Sequence, residues 1–185
     1  RHDLRKARIG HMGHVLEAML DMQTDTTALT AALGCHAVQC EPDEIMTHFS
    51  ALIAQDEAIK AMSSRILGFF DTPDPVSDPL TSKLTDEDLL IAARAGVALE
   101  RFIAAKKLDG FAYYYEAQTG SEMRKLVTNF IVGNSLLTAA GFPMCGEFDI
   151  KTCLAMLIMD RLEIGGSFAE FHPIDFERDT VLVGH

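Results

Sequence analysis

The sequence predicts an α/β fold, in which a parallel sheet carries helices on both faces (an αβα sandwich) and is followed by the start of a β-rich domain. Short apolar segments alternate with longer amphipathic segments as far as about residue 165, and this alternation is typical of parallel sheets with crossover helices. From about residue 166 onward, two strand-like segments follow each other without a helix between them. We therefore expect residues 1–165 to form an α/β domain and residues 166–185 to begin a second, β-rich domain.

The first third of the chain contains two predicted strands and three predicted helical segments. Gly34 ends one helix, and Pro42 begins the next because proline is favoured in the first helical turn. Apolar residues then recur every seven positions from Ile45 to Ile66, which indicates one long helix. The predicted elements are a strand at 6–11, a helical run at 16–20, a helix at 29–33, a strand at 35–40 and a helix at 42–66.

The rest of the chain continues this alternation after an irregular, proline-containing connection at 69–83. Thr85 and Asp88 have the spacing of a capping box, and Asp149 is placed to cap a further helix that Gly165 ends. The predicted elements are helices at 88–103, 123–137 and 150–162, and strands at 108–117, 142–146, 167–176 and 180–185.

Composition and charge restrict the class of protein. Apolar residues make up 48% and charged residues 23%, as in soluble globular domains, and no apolar run approaches the ~20 residues of a membrane span. The net charge of -11 disfavours nucleic acid and anionic membranes as partners. The four cysteines lack C-x-x-C spacing and lie in apolar contexts, so we expect buried, reduced thiols and a cytoplasmic location. No glycine-rich nucleotide-binding motif is present.

Two carboxylates and one imidazole are the candidate metal ligands. Glu147 follows a predicted strand, Glu170 lies in the strand after the next helix, and His185 follows the last strand. Carboxylate oxygens and a neutral imidazole suit Mn²⁺, or another divalent cation such as Mg²⁺ or Co²⁺, with positions left open for substrate or water. Open α/β sheets bind their ligands at the carboxyl ends of the strands, which is where Glu147 is expected.

The same region resembles a family of sugar isomerases. The segments GEFDIKTCLAMLIMDRL, GGSFAEF and VLVGH are similar to those of the L-arabinose and L-fucose isomerase group. The resemblance implies that Glu147, Glu170 and His185 bind the metal and that the two glutamates also move protons. It implies a last histidine ligand further downstream, so we expect this chain to be the central domain and the start of the C-terminal domain of a larger polypeptide. It also implies a homo-oligomer and a monosaccharide substrate.

Three further residues are candidates for sugar binding. The resemblance places the loop that follows the first strand near the bound sugar, which makes His11 a pocket candidate. Tyr115 and Glu116 end the strand predicted at 108–117, where an aromatic wall and a further acid suit a sugar. The alternatives remain open: His11 as an exposed loop residue or a helix-entry contact, the tyrosines as ordinary sheet residues, and Glu116 as a carboxylate at a helix start.

The predicted activity is metal-dependent interconversion of an aldose and a ketose through an enediol. A carboxylate removes the proton next to the carbonyl, the proton returns to the neighbouring carbon, and a divalent cation stabilises the developing negative charge. A non-catalytic sugar-binding module is an alternative, in which the acids only hydrogen-bond hydroxyl groups. A metallohydrolase, with metal-bound water as the nucleophile, is another.

Overall fold

The computed structural model describes residues 4–78 and 82–184 and divides them into two compact units. Residues 4–38, 109–114 and 141–184 belong to the first unit, and residues 39–78, 82–108 and 115–140 belong to the second. A four-stranded parallel sheet flanked by helices and a separate antiparallel pair of strands confirm the predicted α/β class.

The larger sheet places four strand ends along one edge. Its strands are β1 (Arg8–Gly13), β2 (His36–Cys40), β3 (Gly110–Tyr114) and β4 (Met144–Cys145), in the spatial order β2-β1-β3-β4. In the register, His11 lies opposite Ala112, and Ala112 lies opposite Cys145. Because the strands are parallel, the segments that leave β1, β3 and β4 at their carboxyl ends begin at the same edge.

Seven α-helices, a β-hairpin and two short 3-10 helices, Leu4–Lys6 and Leu20–Met22, complete the described secondary structure. The helices are α1 (Thr26–Leu33), α2 (Pro42–Ser50), α3 (Glu57–Phe69), α4 (Asp86–Lys106), α5 (Glu122–Thr128), α6 (Phe130–Ala139) and α7 (Ile150–Arg161). The hairpin strands are β5 (Glu170–Asp175) and β6 (Thr180–Gly184). None of the helices in the described ranges has the length and apolar run that crossing a lipid bilayer requires.

The core of the first unit lies between one face of the sheet and α7. Ile9, Ala112 and Cys145 are fully buried on the strands and pack with Ile150 and Leu157 of α7. Burial of this kind stabilises a fold by about 25 cal/mol for each Å² of apolar surface removed from water. The helix begins as predicted, because the Asp149 side chain accepts a hydrogen bond of 2.9 Å from the backbone N–H of Thr152. The core therefore holds α7 and the loop before it against the sheet.

The second unit is built around α4. This helix contacts α2, α3, α5 and α6, and it begins with the predicted capping box of Thr85 and Asp88. Its Leu99 and Phe102 are buried, as are Phe49 of α2 and Phe130 of α6. These side chains give the unit a helical core of its own.

Three predicted helices are wrong in extent. The run at 16–20 is not an α-helix: only a 3-10 turn, Leu20–Met22, forms there, without a side-chain cap, and Leu20 is exposed. The helix predicted at 42–66 is interrupted after α2, because Asp56 caps a new helix by accepting from the N–H of Ala58. The helix predicted at 123–137 breaks at Asn129, whose side-chain amide donates to the carbonyl of Lys125 and so satisfies the end of α5.

All four cysteines are free thiols in buried positions, as the sequence predicts. Cys145 of β4 lies with its Sγ 3.4 Å from the Sδ of Met156. Cys153 of α7 faces Gly110 of β3 so closely that any Cβ at position 110 would lie 2.8 Å from its Sγ. Gly110 is therefore required by the close approach of α7 to the sheet.

The β5–β6 hairpin has one apolar face that is exposed to solvent. Phe171 lies opposite Val183 and Ile174 lies opposite Val181, with a register shift between the two pairs. Residues directly opposite each other in an antiparallel pair share a face, and residues two apart on a strand do so as well. These four side chains therefore lie on one face, and they are 41% to 82% exposed.

Gly110→Ala is expected to destabilise the first unit by about 1–3 kcal/mol, the usual cost of adding atoms to a packed core. The new Cβ would meet Cys153 Sγ at 2.8 Å, and Ile9 Cδ1 and Pro143 Cβ at 3.4 Å. Urea unfolding followed by circular dichroism measures the change in the free energy of unfolding.

Gly68→Ala is the matched control, because a Cβ at that position in α3 would have no described atom within 4 Å apart from its chain neighbours and the nearby backbone of its own helix. Alanine there should be neutral or stabilising, by up to about 1 kcal/mol. Adding Cys153→Ala should also reduce the cost of Gly110→Ala, since it removes the clashing sulfur. An equal cost of Gly110→Ala with and without Cys153→Ala would contradict the packing argument.

Candidate functional site

The candidate site lies at the carboxyl edge of the larger sheet, within the first unit. Glu147 lies two residues after the end of β4. In the sheet register, Cys145 of β4 lies opposite Ala112 of β3, which in turn lies opposite His11 of β1. The expected position of Glu147 at the end of a strand agrees with the structure. His11 lies inside β1 rather than in a loop, because the strand extends to Gly13.

Glu147 and Phe148 both adopt left-handed backbone conformations, with φ of 53° and 62°. Among the described residues, this is the one place where two consecutive non-glycine residues do so. The left-handed region costs a residue with a Cβ about 1–2 kcal/mol. Strain of this kind persists only where the surroundings hold it, and it is concentrated at functional sites.

Local hydrogen bonds hold the strained turn in place. The backbone N–H of Phe148 donates to the carbonyl of Tyr113 in β3 at 3.2 Å, and the N–H of Asp149 donates to the carbonyl of Gly146 at 3.0 Å. Asp149 is buried and caps α7, and Ile150 begins the helix in the core. The segment that carries Glu147 is thus fixed by the sheet on one side and by α7 on the other.

The Glu147 side chain is half-buried, and its Oε2 atom is hidden from solvent. Glu170, the second predicted carboxylate, is also half-buried and is the first residue of β5, opposite Gly184. Phe148 and Phe168 pack against the same buried core cluster. The segments that carry the two glutamates are therefore anchored on one core.

His185, the third predicted ligand, lies outside the described residues. Within the described ranges, no group of three or more histidine, cysteine, aspartate or glutamate side chains is arranged to hold a metal ion. The two described members of the predicted set are oxygen donors, a type that suits Mn²⁺, Mg²⁺ or Co²⁺. The metal assignment stays a prediction.

His11 is buried, with 8% of its surface exposed. Its ring meets the ring of Phe148 edge to face, with 5.4 Å between the ring centroids. Its Nδ1 atom is hidden from solvent and has no hydrogen-bond partner among the described residues. Burial lowers the pKa of His11 below its ordinary value of 6.5, because the charged imidazolium loses its hydration. The structure thus excludes an exposed loop histidine.

Tyr115 and Glu116 belong to the second unit, where Tyr115 is half-buried and Glu116 is exposed. The carbonyl of Glu116 accepts a hydrogen bond of 2.6 Å from Nη1 of Arg124. Ser121, not Glu116, caps the helix that follows, since its hydroxyl accepts from the N–H of Arg124. Their assignment to a sugar pocket stays a prediction.

Phe148 is the residue that the sequence does not single out. It lies inside the GEFD segment, and its aromatic character alone does not distinguish it from a core residue. In the structure it joins the two parts of the candidate site, because it follows Glu147 in the chain and contacts the His11 ring.

Comparison with known proteins adds no family assignment. The chain matches no protein-family model, and no curated protein is significantly similar to it.

Glu147→Gly should give a more stable chain than Glu147→Ala. Both variants lack the carboxylate, but only alanine places a Cβ in the left-handed conformation, so we expect a difference of about 1–2 kcal/mol in the free energy of unfolding. Glycine is the less stable of the two at ordinary positions. At Glu163, which is exposed and has φ of 59°, the glycine variant should again be more stable than the alanine variant. At Glu177, which is exposed and has no positive φ, the alanine variant should be the more stable of the two or the two should be equal. Equal stability of the two variants at position 147 would contradict the inference that the backbone is strained there.

His11 should titrate below pH 6.5 in the folded chain, measured by NMR of the ¹⁵N-labelled imidazole and compared with the urea-unfolded chain. Because its folded pKa is the lower one, the unfolded state binds more protons between the two values. The stability contributed by the neutral imidazole is therefore fully present above pH 6.5 and is lost as the pH falls towards the folded pKa. The free energy of unfolding should fall in that range relative to His11→Phe. An unchanged difference between the two proteins across that range would contradict the burial argument.

Proposed function

We propose that the chain carries the catalytic glutamates of a metal-dependent aldose–ketose isomerase of the L-arabinose or L-fucose isomerase type. The observation that supports this most is the strained Glu147–Phe148 pair at the carboxyl edge of a parallel sheet. A left-handed position costs a glutamate more free energy than a glycine, and strained positions of this kind are concentrated at functional sites. Glu147 also lies within the sequence that resembles the isomerase family.

The two glutamates are assigned the proton transfers. One glutamate carboxylate removes the proton from the carbon next to the carbonyl. After the enediol has formed, the other glutamate returns a proton to the former carbonyl carbon. When bound, a divalent cation such as Mn²⁺ supplies positive charge next to the two substrate oxygens. Glu147, Glu170 and His185 would hold it.

The placement of Glu147 suits a general base. Its segment is held by a backbone hydrogen bond to β3 and by the capped start of α7, so the carboxylate is positioned before the substrate arrives. Half-burial removes part of its hydration, which strengthens its electrostatic interactions with a bound substrate. These are properties expected of a proton-transfer group.

Glu147→Gln and Glu170→Gln should each lower the rate of isomerisation about 10²- to 10⁴-fold, because an amide cannot accept the proton. Conversion of L-arabinose and L-fucose to the ketoses is measured with Mn²⁺ present. The unfolding temperature with and without Mn²⁺ gives a second measurement, since an ion that binds the folded chain stabilises it. The Mn²⁺-induced rise should be smaller in both variants.

Glu163→Gln and Glu177→Gln are the controls, because both residues are exposed in the first unit and have no assigned role. They should keep the activity and the response to Mn²⁺. Turnover in D₂O should place solvent deuterium in the product where the abstracted proton exchanges. Normal rates in both Glu147→Gln and Glu170→Gln would overturn the proposal. Sugar binding that is independent of Mn²⁺ and leaves the sugar unchanged would indicate a binding module instead.

A further inference from the structure

We propose that Lys151 holds residues 14–24 closed as a lid over the turn that carries Glu147. These residues, called the lid below, connect the end of β1 to Asp25, which caps α1. The proposal concerns access to the site and not the identity of the ligand. It rests on the proposed function only in treating the Glu147 turn as a place that a ligand must reach.

Two polar atoms at the carboxyl edge of the sheet are closed off from solvent. Oε2 of Glu147 and Nδ1 of His11 are both hidden, and the whole of His11 is 8% exposed. A solute can reach these atoms only if a neighbouring segment moves. β1, β3 and α7 all contribute to the buried core of the unit, so moving any of them would expose apolar surface to water. A segment outside that core is the better candidate for the moving part.

The start of the lid lies beside the strained turn. The backbone N–H of His14 donates to the carbonyl of Tyr114 at 3.1 Å, and the N–H of Phe148 donates to the carbonyl of Tyr113 at 3.2 Å. The first residue of the lid and the strained turn are thus bonded to successive carbonyls at the end of β3. The His14 ring also meets the Tyr114 ring edge to face, with 5.6 Å between the ring centroids.

The far part of the lid is tied to α7. The ammonium group of Lys151, in the first turn of that helix, donates a hydrogen bond to the backbone carbonyl of Asp21. Lys151 lies four residues after Glu147, which is about one helical turn. The lid therefore runs from β1, past the end of β3, to the helix that begins beside the Glu147 turn.

The lid is held by few contacts. Within residues 14–24, all of which the structure describes, there is one 3-10 turn but no strand or α-helix, and no residue is buried. Its hydrogen bonds to other described elements are those of His14 and Asp21, and its remaining hydrogen bonds are local. Segments with few buried contacts open at low free-energy cost. Gly13, with φ of 92°, directly precedes the lid and provides a hinge.

Lys151 occupies a position that the helix itself disfavours. A cation in the first turn lies at the positive end of the helix dipole, where acidic residues are preferred, and α7 has no acidic residue in its first turn. A partner outside the helix offsets this disadvantage. The carbonyl of Asp21 is such a partner, and hydrogen bonds from charged donors are stronger than those from neutral ones. The contact assigns to Lys151 the closing of the lid rather than the stability of α7.

The direct test measures how fast diethyl pyrocarbonate modifies His11 in the whole chain. This reagent attaches a carbethoxy group to an accessible unprotonated imidazole nitrogen, and tandem mass spectrometry gives the rate for each histidine. Lys151→Met removes the ammonium donor and keeps an apolar stem at an exposed position. The His11 rate should rise about threefold to tenfold, the effect of losing one hydrogen bond. His14 is exposed in either case, so its rate should not change.

Two variants serve as controls. Lys151→Arg keeps a charged donor and should leave the His11 rate within about twofold of that of the wild type. Lys6→Met removes an exposed lysine elsewhere in the first unit and should not change the rate. The unfolding temperature of Lys151→Met should be unchanged or higher, because a cation is removed from the start of α7. A lower unfolding temperature would show that Lys151 supports the helix, against the proposal.

Amide hydrogen exchange, followed by NMR, gives an independent measurement. The amide of His14, which is bonded to Tyr114, should exchange faster in Lys151→Met than in the wild type. The amide of Phe148, which is bonded to the neighbouring Tyr113, should keep its rate. Equal acceleration of both amides would overturn the proposal, because the turn and the lid would then open together.

Equal His11 modification rates in Lys151→Met and the wild type would overturn the proposal, and so would an equal rise in Lys6→Met. None of these measurements needs a metal or a sugar, so the two proposals fail separately. Normal turnover in the Glu147→Gln and Glu170→Gln variants would refute the isomerase mechanism and leave the lid in place. Inactive glutamate variants together with an unchanged His11 rate in Lys151→Met would refute the lid alone.

Discussion

The parallel pairing of β1, β3 and β4 is the constraint on which the candidate site depends. Because these strands run in one direction, His11 and the turn that carries Glu147 lie at the same end of the sheet, although 136 positions separate them in the chain. The starts of β1 and β3 are also linked, because the Asp109 carboxylate accepts a hydrogen bond from the backbone N–H of Arg8 at 2.9 Å and pairs with Arg161 of α7 at 3.3 Å. α7 and the sheet thus form one support, and the strained turn is stable because that support surrounds it.

The two glutamates are held in different ways. Glu147 lies between a hydrogen bond to β3 and a capped, buried helix, so moving it would disturb the core. Glu170 begins a strand that, within residues 4–78 and 82–184, pairs only with β6, in a hairpin whose apolar face is exposed. Isolated two-stranded hairpins are marginally stable in water. One carboxylate is therefore part of the rigid scaffold, and the other is supported mainly by Phe168 and by β6.

Features fixed by nearby residues could be predicted from the sequence, and features fixed by distant ones could not. The Asp149 cap, the Thr85–Asp88 capping box and the fold class follow from local spacing and hydrophobic alternation. The break at Asn129 cannot be predicted from the apolar pattern, because that pattern continues through it while the Asn129 side chain competes for a backbone carbonyl. The positive φ of Glu147 depends on which segments meet in space, and so does the lack of a hydrogen-bond partner for His11 Nδ1 in the part of the chain that the structure describes. Neither residue type indicates these features.

The exposed hairpin bears on how the site would respond to its ligands. Elements with few buried contacts open locally at low free-energy cost, so β5 and β6 should exchange their amide hydrogens with solvent well before β1 and β3. When the hairpin is open, Glu170 is displaced from the site. The apparent affinity of any ligand that needs Glu170 is then its intrinsic affinity multiplied by the fraction of chains in which the hairpin is closed. A substitution that buries Phe171 or Val183 would stabilise the closed hairpin. It would therefore increase the affinity although the new side chain does not contact the ligand.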